Sequence, residues 1–161
     1  MEDSNFADGK DDLAGRFLTF YIDDIIYSLP LTHVIEIIGI QTITHIPAVP
    51  HYIKGIVNLR GKVVPISDVR LKFNQPERPY DDKTCIVITM MGETQVGLIV
   101  DRVAEVVTLE KADMAPPPAA EARLGQSYLA SISKMNEKVI MNIDCEKLFQ
   151  NDLAELFTPD N

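Results

Sequence analysis

The chain repeats itself. Set side by side, residues 27–38 and 96–107 share Leu29/Leu98, Val34/Val103 and Glu36/Glu105. Residues 52–73 and 128–149 share Tyr52/Tyr128, Ile56/Ile132, Lys62/Lys138, Val63/Val139, Asp68/Asp144 and Phe73/Phe149. Nine of these 34 columns are identical, where composition alone gives roughly two. The blocks follow the same order in both halves, and the proline-rich stretch 115–123 stands where the second copy's extra spacing falls. A repeat of this kind means one structural unit built twice. Each unit opens on an alternating, β-branched hairpin, 17–29 and then 85–100. Next come apolar residues at helical spacing, Leu31, Val34, Ile35 and Ile38 in one copy and Val100, Val103, Ala104 and Val107 in the other. These read either as a full helix, which Gly39 would stop, or as a helical turn running into a strand. The residues thus predict a mostly β chain of two small five-stranded barrels in series, with copies at about 16–73 and 83–149. A linker over 74–82, marked by Pro76 and Pro79, separates them. Asp144 is a candidate N-cap, and Phe149, Leu153, Leu156 and Phe157 form a stripe, so a terminal helix is expected at about 145–157.

Charge narrows the partners. The 161 residues carry 15 Lys+Arg against 24 Asp+Glu, a net −9. That balance opposes phosphate backbones and anionic membranes, which demand a basic face. The apolar share of 46% is enough to fill a core. Residues 1–15, with Glu2, Asp3, Asp8, Asp11 and Asp12, have almost nothing to bury and are expected to be a disordered acidic tail. No apolar run approaches the ~20 residues of a membrane span, and the acidic start is unlike a signal peptide. Cys85 and Cys145 are too few for a disulfide framework, which fits a reducing cytoplasm.

No catalytic pattern emerges. Gly55 to Lys62 resembles a phosphate loop but has five residues between its glycines, and Val63 replaces the magnesium-binding hydroxyl. His33, His45, His51 and the two cysteines lack metal-ligand spacing, so neither metal nor cofactor is expected. Asp23-Asp24 and Asp81-Asp82 read as solvated turn charges. The informative stretch runs from Gly55 to Ile66. Asn58 and Gly61 suit the first and fourth positions of a type I turn, so the hairpin tip would present Arg60 to solvent. Pro65 would put the second strand at an edge or beside a bulge. The second copy reads Lys134-Met135-Asn136-Glu137-Lys138 there, with neither the arginine nor the glycine.

The segment Gly55-Ile-Val-Asn58-Leu-Arg60-Gly61-Lys-Val-Val-Pro65-Ile-Ser-Asp68-Val-Arg70-Leu-Lys-Phe73 resembles the signature of the chemotaxis coupling proteins, the CheW-type adaptors. Residues 27–38, 96–103 and 138–149 match the same family, so the resemblance covers 16–149. It implies two intertwined SH3-like or OB-like barrels, a fold shared with the regulatory domain of the chemotaxis histidine kinase. It further implies a free-standing, non-enzymatic cytoplasmic adaptor. Its partners would be that regulatory domain and the cytoplasmic tip of methyl-accepting chemoreceptors. Val34, Glu36, Gly55, Asn58, Arg60 and Val103 would lie on the receptor-binding surface. Ser28 stands where that family often has glycine, a change expected to matter little. The rivals are an acidic OB- or SH3-like module for another peptide or nucleic-acid ligand, and an enzyme with an unrecognised pocket. The absence of a basic–aromatic stripe counts against nucleic acid.

Overall fold

Two hairpins of like sequence exchange places. The computed structural model describes residues 13–117 and 128–149. The first hairpin joins β1 (Arg16–Ile22) to β2 (Ile25–Pro30), and the second joins β6 (Cys85–Met91) to β7 (Thr94–Val100). The remaining first-half strands are β3 (Val34–Gly39), β4 (Ile53–Leu59) and β5 (Lys62–Asp68); a short helix, α1 (Val69–Lys72), follows β5. In the second half they are β8 (Arg102–Thr108), β9 (Met114–Ala115), β10 (Leu129–Met135) and β11 (Lys138–Ile143). Sheet order is β8-β1-β2-β11-β10-β9 in one sheet and β3-β6-β7-β5-β4 in the other. We call these barrel 1 and barrel 2. Barrel 1 counts six strands because the two-residue β9 adds to β10.

The reading of two barrels in series is therefore corrected: each barrel takes its hairpin from the opposite half. The reason is connection length. Barrel 1 places β8 beside β1, with β2 on the far side of β1. If the first hairpin stayed in its own half, β3 would take that place, parallel to β2 with β1 between them. Such a crossover needs a dozen or more residues, and only Leu31, Thr32 and His33 separate β2 from β3. Asp101 alone separates β7 from β8. Both chains of strands must run onward into the neighbouring barrel.

The two apolar stretches read at helical spacing resolve as strands. A single 3-10 turn, Leu31–His33, precedes β3, and no helix precedes β8. Val, Ile and Thr lose rotamer freedom in a helix and pack well on a pleat, so the strand wins; Gly39 ends β3 rather than a helix. The expected linker over 74–82 is tied to barrel 2 by Tyr80, whose hydroxyl donates to Asp68 Oδ2 at 2.7 Å. Burial, and then the Asp68 carboxylate, push this phenol's pKa well above its ordinary value. At the C-terminal end a helix occupies 145–149, and the Lys147 amide donates to Asp144 Oδ1 at 3.2 Å. Leu153, Leu156 and Phe157 lie outside the described residues, as do the acidic residues 1–12 and 118–123 of the proline-rich stretch.

Packing fuses the barrels. The largest core cluster draws Leu18, Phe20 and Leu29 from the first hairpin, Val96, Leu98 and Val100 from the second, and Leu148 and Phe149 from the final helix. Barrel 2 adds its own apolar centre of Val57, Leu59, Val64, Ile66, Ile86, Ile88 and Ile99. Barrel 1 has Val107, Leu109 and Ile140, and part of its interior is polar. Ser28 is fully buried there and donates to Asn142, so the serine in place of glycine matters more than expected.

Candidate functional site

The β4–β5 tip is tighter than a type I turn over Asn58–Gly61. Leu59 pairs with Lys62, leaving a two-residue loop of Arg60 and Gly61. Both have positive φ, 54° and 87°. That is the signature of a type I′ turn, whose backbone twist matches its strands. Asn58 caps it from the side, its Oδ1 accepting from the Gly61 amide at 2.9 Å. The second copy makes the same kind of turn with Asn136 and Glu137, at φ 52° and 66°. The architecture therefore uses this turn twice, contrary to what the differing residues suggest. Asn takes left-handed backbone readily. An arginine there carries a cost on the order of 1 kcal/mol.

Arg60 is exposed but not idle. Its side chain, 69% exposed, forms an ion pair from Nη2 to Glu36 Oε2 on β3. Glu36 is 28% exposed. In such a solvated setting the pair adds about 0–1 kcal/mol, so either group can change partners cheaply. Glu36, Asn58 and Arg60 thus meet at one corner of barrel 2. Val34 begins the same strand as Glu36 and is half-buried against the central core. Val103 is also half-buried against that core but sits on β8, in barrel 1.

Gly55 presents nothing to solvent. It is buried at a register shift in β4, with φ 145°. A Cβ there would lie 2.0 Å from the Thr44 carbonyl oxygen. The close approach lets Thr44 and Ile56 exchange backbone bonds of 2.8 and 2.9 Å, folding residues 40–52 onto β4. Pro65 is in an interior strand, yet the parallel pairing of β5 with β7 begins only at Ile66, and the Ile53/Gly55 register shift lies nearby.

One cluster escaped the sequence reading. Arg70, 8% exposed, donates from Nη1 to Asp23 Oδ1 at 2.7 Å and to Asp101 Oδ2 at 2.9 Å, and from Nε to the Pro76 carbonyl at 3.0 Å. Asp101 Oδ2 also accepts from Arg78 and from the Asp23 amide. Asp23, read as a solvated turn charge, is thus one end of a network joining the β1–β2 turn, the β7–β8 crossover and the linker. Its only local signal is Asp68, whose Oδ1 caps α1 and sets Arg70 on an inward-facing turn. Among the described residues, no group of three His, Cys, Asp or Glu side chains could hold a metal. No helix among the described residues is long and apolar enough to cross a membrane.

Repeat-equivalent positions also expose apolar side chains on both barrels: Ile37 with Val106, and Val63 with Val139. Similarity to known proteins follows the same outline. The family model described as a CheW-like domain matches residues 16–153. The chemotaxis protein CheW of Klebsiella aerogenes is 34% identical over 137 residues, 85% of this chain and 82% of that protein. That of Bacillus subtilis is 28% identical over 145 residues, covering 90% and 93%. The scaffolding protein TtCheW from Thermoanaerobacter tengcongensis superposes with a TM-score of 0.75 at 30% identity, covering 84% of this chain and 92% of that one.

Proposed function

The chain belongs to the CheW-like domain family, and from that we propose that it couples methyl-accepting chemoreceptors to the regulatory domain of the chemotaxis histidine kinase, as a non-enzymatic cytoplasmic adaptor recruited to receptor arrays. The observation that carries the receptor side is Arg60. It occupies left-handed backbone that suits Asn or Gly better, and it holds its guanidinium out on the hairpin tip beside the partly buried Glu36 carboxylate. Backbone held in a sparsely populated region at an exposed tip motivates a functional hypothesis. A guanidinium so placed can make fixed bonds to carboxylate or carbonyl groups of a receptor helix. Glu36 would anchor it, Asn58 would hold the turn, and Val34 would extend the surface along β3. Gly55 would act indirectly, by letting Thr44 close the barrel. The exposed pairs Ile37/Val106 and Val63/Val139 support docking to a partner of the same fold, such as the kinase's regulatory domain.

Titration of a soluble receptor fragment tests the receptor surface. Arg60→Ala is expected to fold normally, keep kinase binding and lose roughly 1–3 kcal/mol of receptor binding. Asn136→Ala, its counterpart on the other tip, should stay within about 0.5 kcal/mol of the unmodified chain. Equal losses, or none, would reduce Arg60 to a turn residue.

The two valines separate by a second readout. Both pack on the central core, so Val34→Ala and Val103→Ala should each cost about 1 kcal/mol of folding stability in urea titration. Only Val34→Ala should also weaken the receptor fragment, since Val34 shares a strand with Glu36. If both weaken it equally, the surface extends onto barrel 1.

A further inference from the structure

The parallel pair that closes each barrel is built on opposite chemistry. In barrel 2, Gly97 of β7 faces Ile66 of β5. A Cβ at Gly97 would lie 2.6 Å from Ile66 Cδ1 and 2.9 Å from Ile86 Cγ2. Its φ is not in the left-handed range, so side-chain crowding, and not backbone conformation, favours glycine there. In barrel 1 the repeat-equivalent residues are Ser28 of β2 and Asn142 of β11, again direct partners. Ser28 Oγ donates to Asn142 Oδ1 at 2.6 Å, and Asn142 Nδ2 donates to Ser131 Oγ at 2.9 Å and Ser133 Oγ at 2.8 Å. Ser28, Ser133 and Asn142 are all buried, and no buried side-chain polar atom among the described residues lacks a partner. Ser133 aligns with Val57 and Ser131 with Gly55, so the whole network replaces an apolar contact.

Both hairpins share an alternating pattern and a two-residue turn, and by pattern alone each could be taken for the other. We propose that the Ser28–Asn142–Ser131–Ser133 network and the Gly97–Ile66 contact form a two-part key that assigns each hairpin to its barrel and keeps copies of this chain from exchanging hairpins wrongly. Docked beside β5, the first hairpin would drive Ser28 into Ile66 and bury its hydroxyl with no acceptor. Docked beside β11, the second hairpin would leave Asn142 Oδ1 with no donor. A buried group stripped of its partner is the expensive case. Within one chain the short β2–β3 and β7–β8 connections already forbid a hairpin from entering its own half. The wrong docking the key excludes is therefore between two copies, the route to swapped assemblies. Specificity has a cost, because a buried polar network replaced as a unit by fitting apolar groups is often neutral or stabilising.

The test uses the full chain. Ser28→Gly, Ser133→Val and Asn142→Ile together give barrel 1 the barrel 2 residues at these positions. The triple variant should unfold at a denaturant midpoint at or above the unmodified chain, while Ser28→Gly alone and Asn142→Ile alone fall below it. Refolded across a range of protein concentrations, it should yield several-fold more dimers and larger species on size-exclusion chromatography than the unmodified chain. Ser28→Ala is the control. It breaks the network but keeps a Cβ too large for the Ile66 site, so its midpoint should drop without extra oligomers. A triple variant that unfolds earlier or fails to fold, refolds with no more oligomers than the unmodified chain, or is matched in oligomers by Ser28→Ala would overturn the proposal.

Discussion

Gly55→Ala is expected to lower the unfolding free energy by about 2–4 kcal/mol, in the range of the most damaging single substitutions. Two terms add. The backbone at φ 145° is one that side-chain-bearing residues rarely adopt, and the new methyl would meet the Thr44 carbonyl, with oxygen at 2.0 Å and carbon at 2.7 Å. These are backbone atoms, held by the Thr44–Ile56 bridge, so they cannot swing aside as a flexible side chain would. Relief requires breaking the bridge and lifting residues 40–52 off β4. Urea titration gives the size of the loss. Hydrogen exchange should place it at Thr44 and Ile56 before it reaches the central core.

Arg70→Met, which keeps the volume and removes the charge, should cost about 2–4 kcal/mol. Removing one partner of a buried ion pair leaves the other charge desolvated, usually worth 3–5 kcal/mol. The lower end is expected here because Arg78 still donates to Asp101 at 2.9 Å. Arg70→Lys should recover only part of the loss, since one ammonium cannot reach Asp23, Asp101 and the Pro76 carbonyl in the fixed geometry of a guanidinium. The contrast is with Arg60→Ala. There the pair is solvated and weakened by salt, so the folding midpoint should barely move. Two arginines ten residues apart thus separate into one buried in a network that holds the fold and one whose solvated pair with Glu36 contributes little to it.

Much of this was legible in the residues. The repeat, the hairpin boundaries and the Asp144 cap all depend on local pattern, and the structure keeps them. Strand exchange was not legible from pattern, because hairpins of like periodicity present the same pattern to either barrel. It becomes legible once connection length is weighed, since three residues and one residue cannot cross a strand. The Glu36–Arg60 pair was half legible: both residues stood out, yet their meeting depends on β3 passing the β4–β5 tip, which no local spacing encodes. Arg70 was hidden because Val-Arg-Leu-Lys reads as a solvated helix turn, and its acceptors come from residues 23, 76 and 101. Gly55 stood out by resemblance to a binding motif, while the contact that requires a glycine, with Thr44, lies eleven residues upstream.

The direct test of the adaptor reading is reconstitution. Purified kinase and receptor-containing membranes are assayed for attractant-controlled autophosphorylation, with and without the full chain. Control is expected only when the chain is present. It should be lost with Arg60→Ala and retained with Asn136→Ala, and the kinase's basal autophosphorylation should be unchanged throughout. Attractant control of the kinase without the chain, or a chain that binds neither receptor nor kinase at micromolar concentration, would contradict the reading.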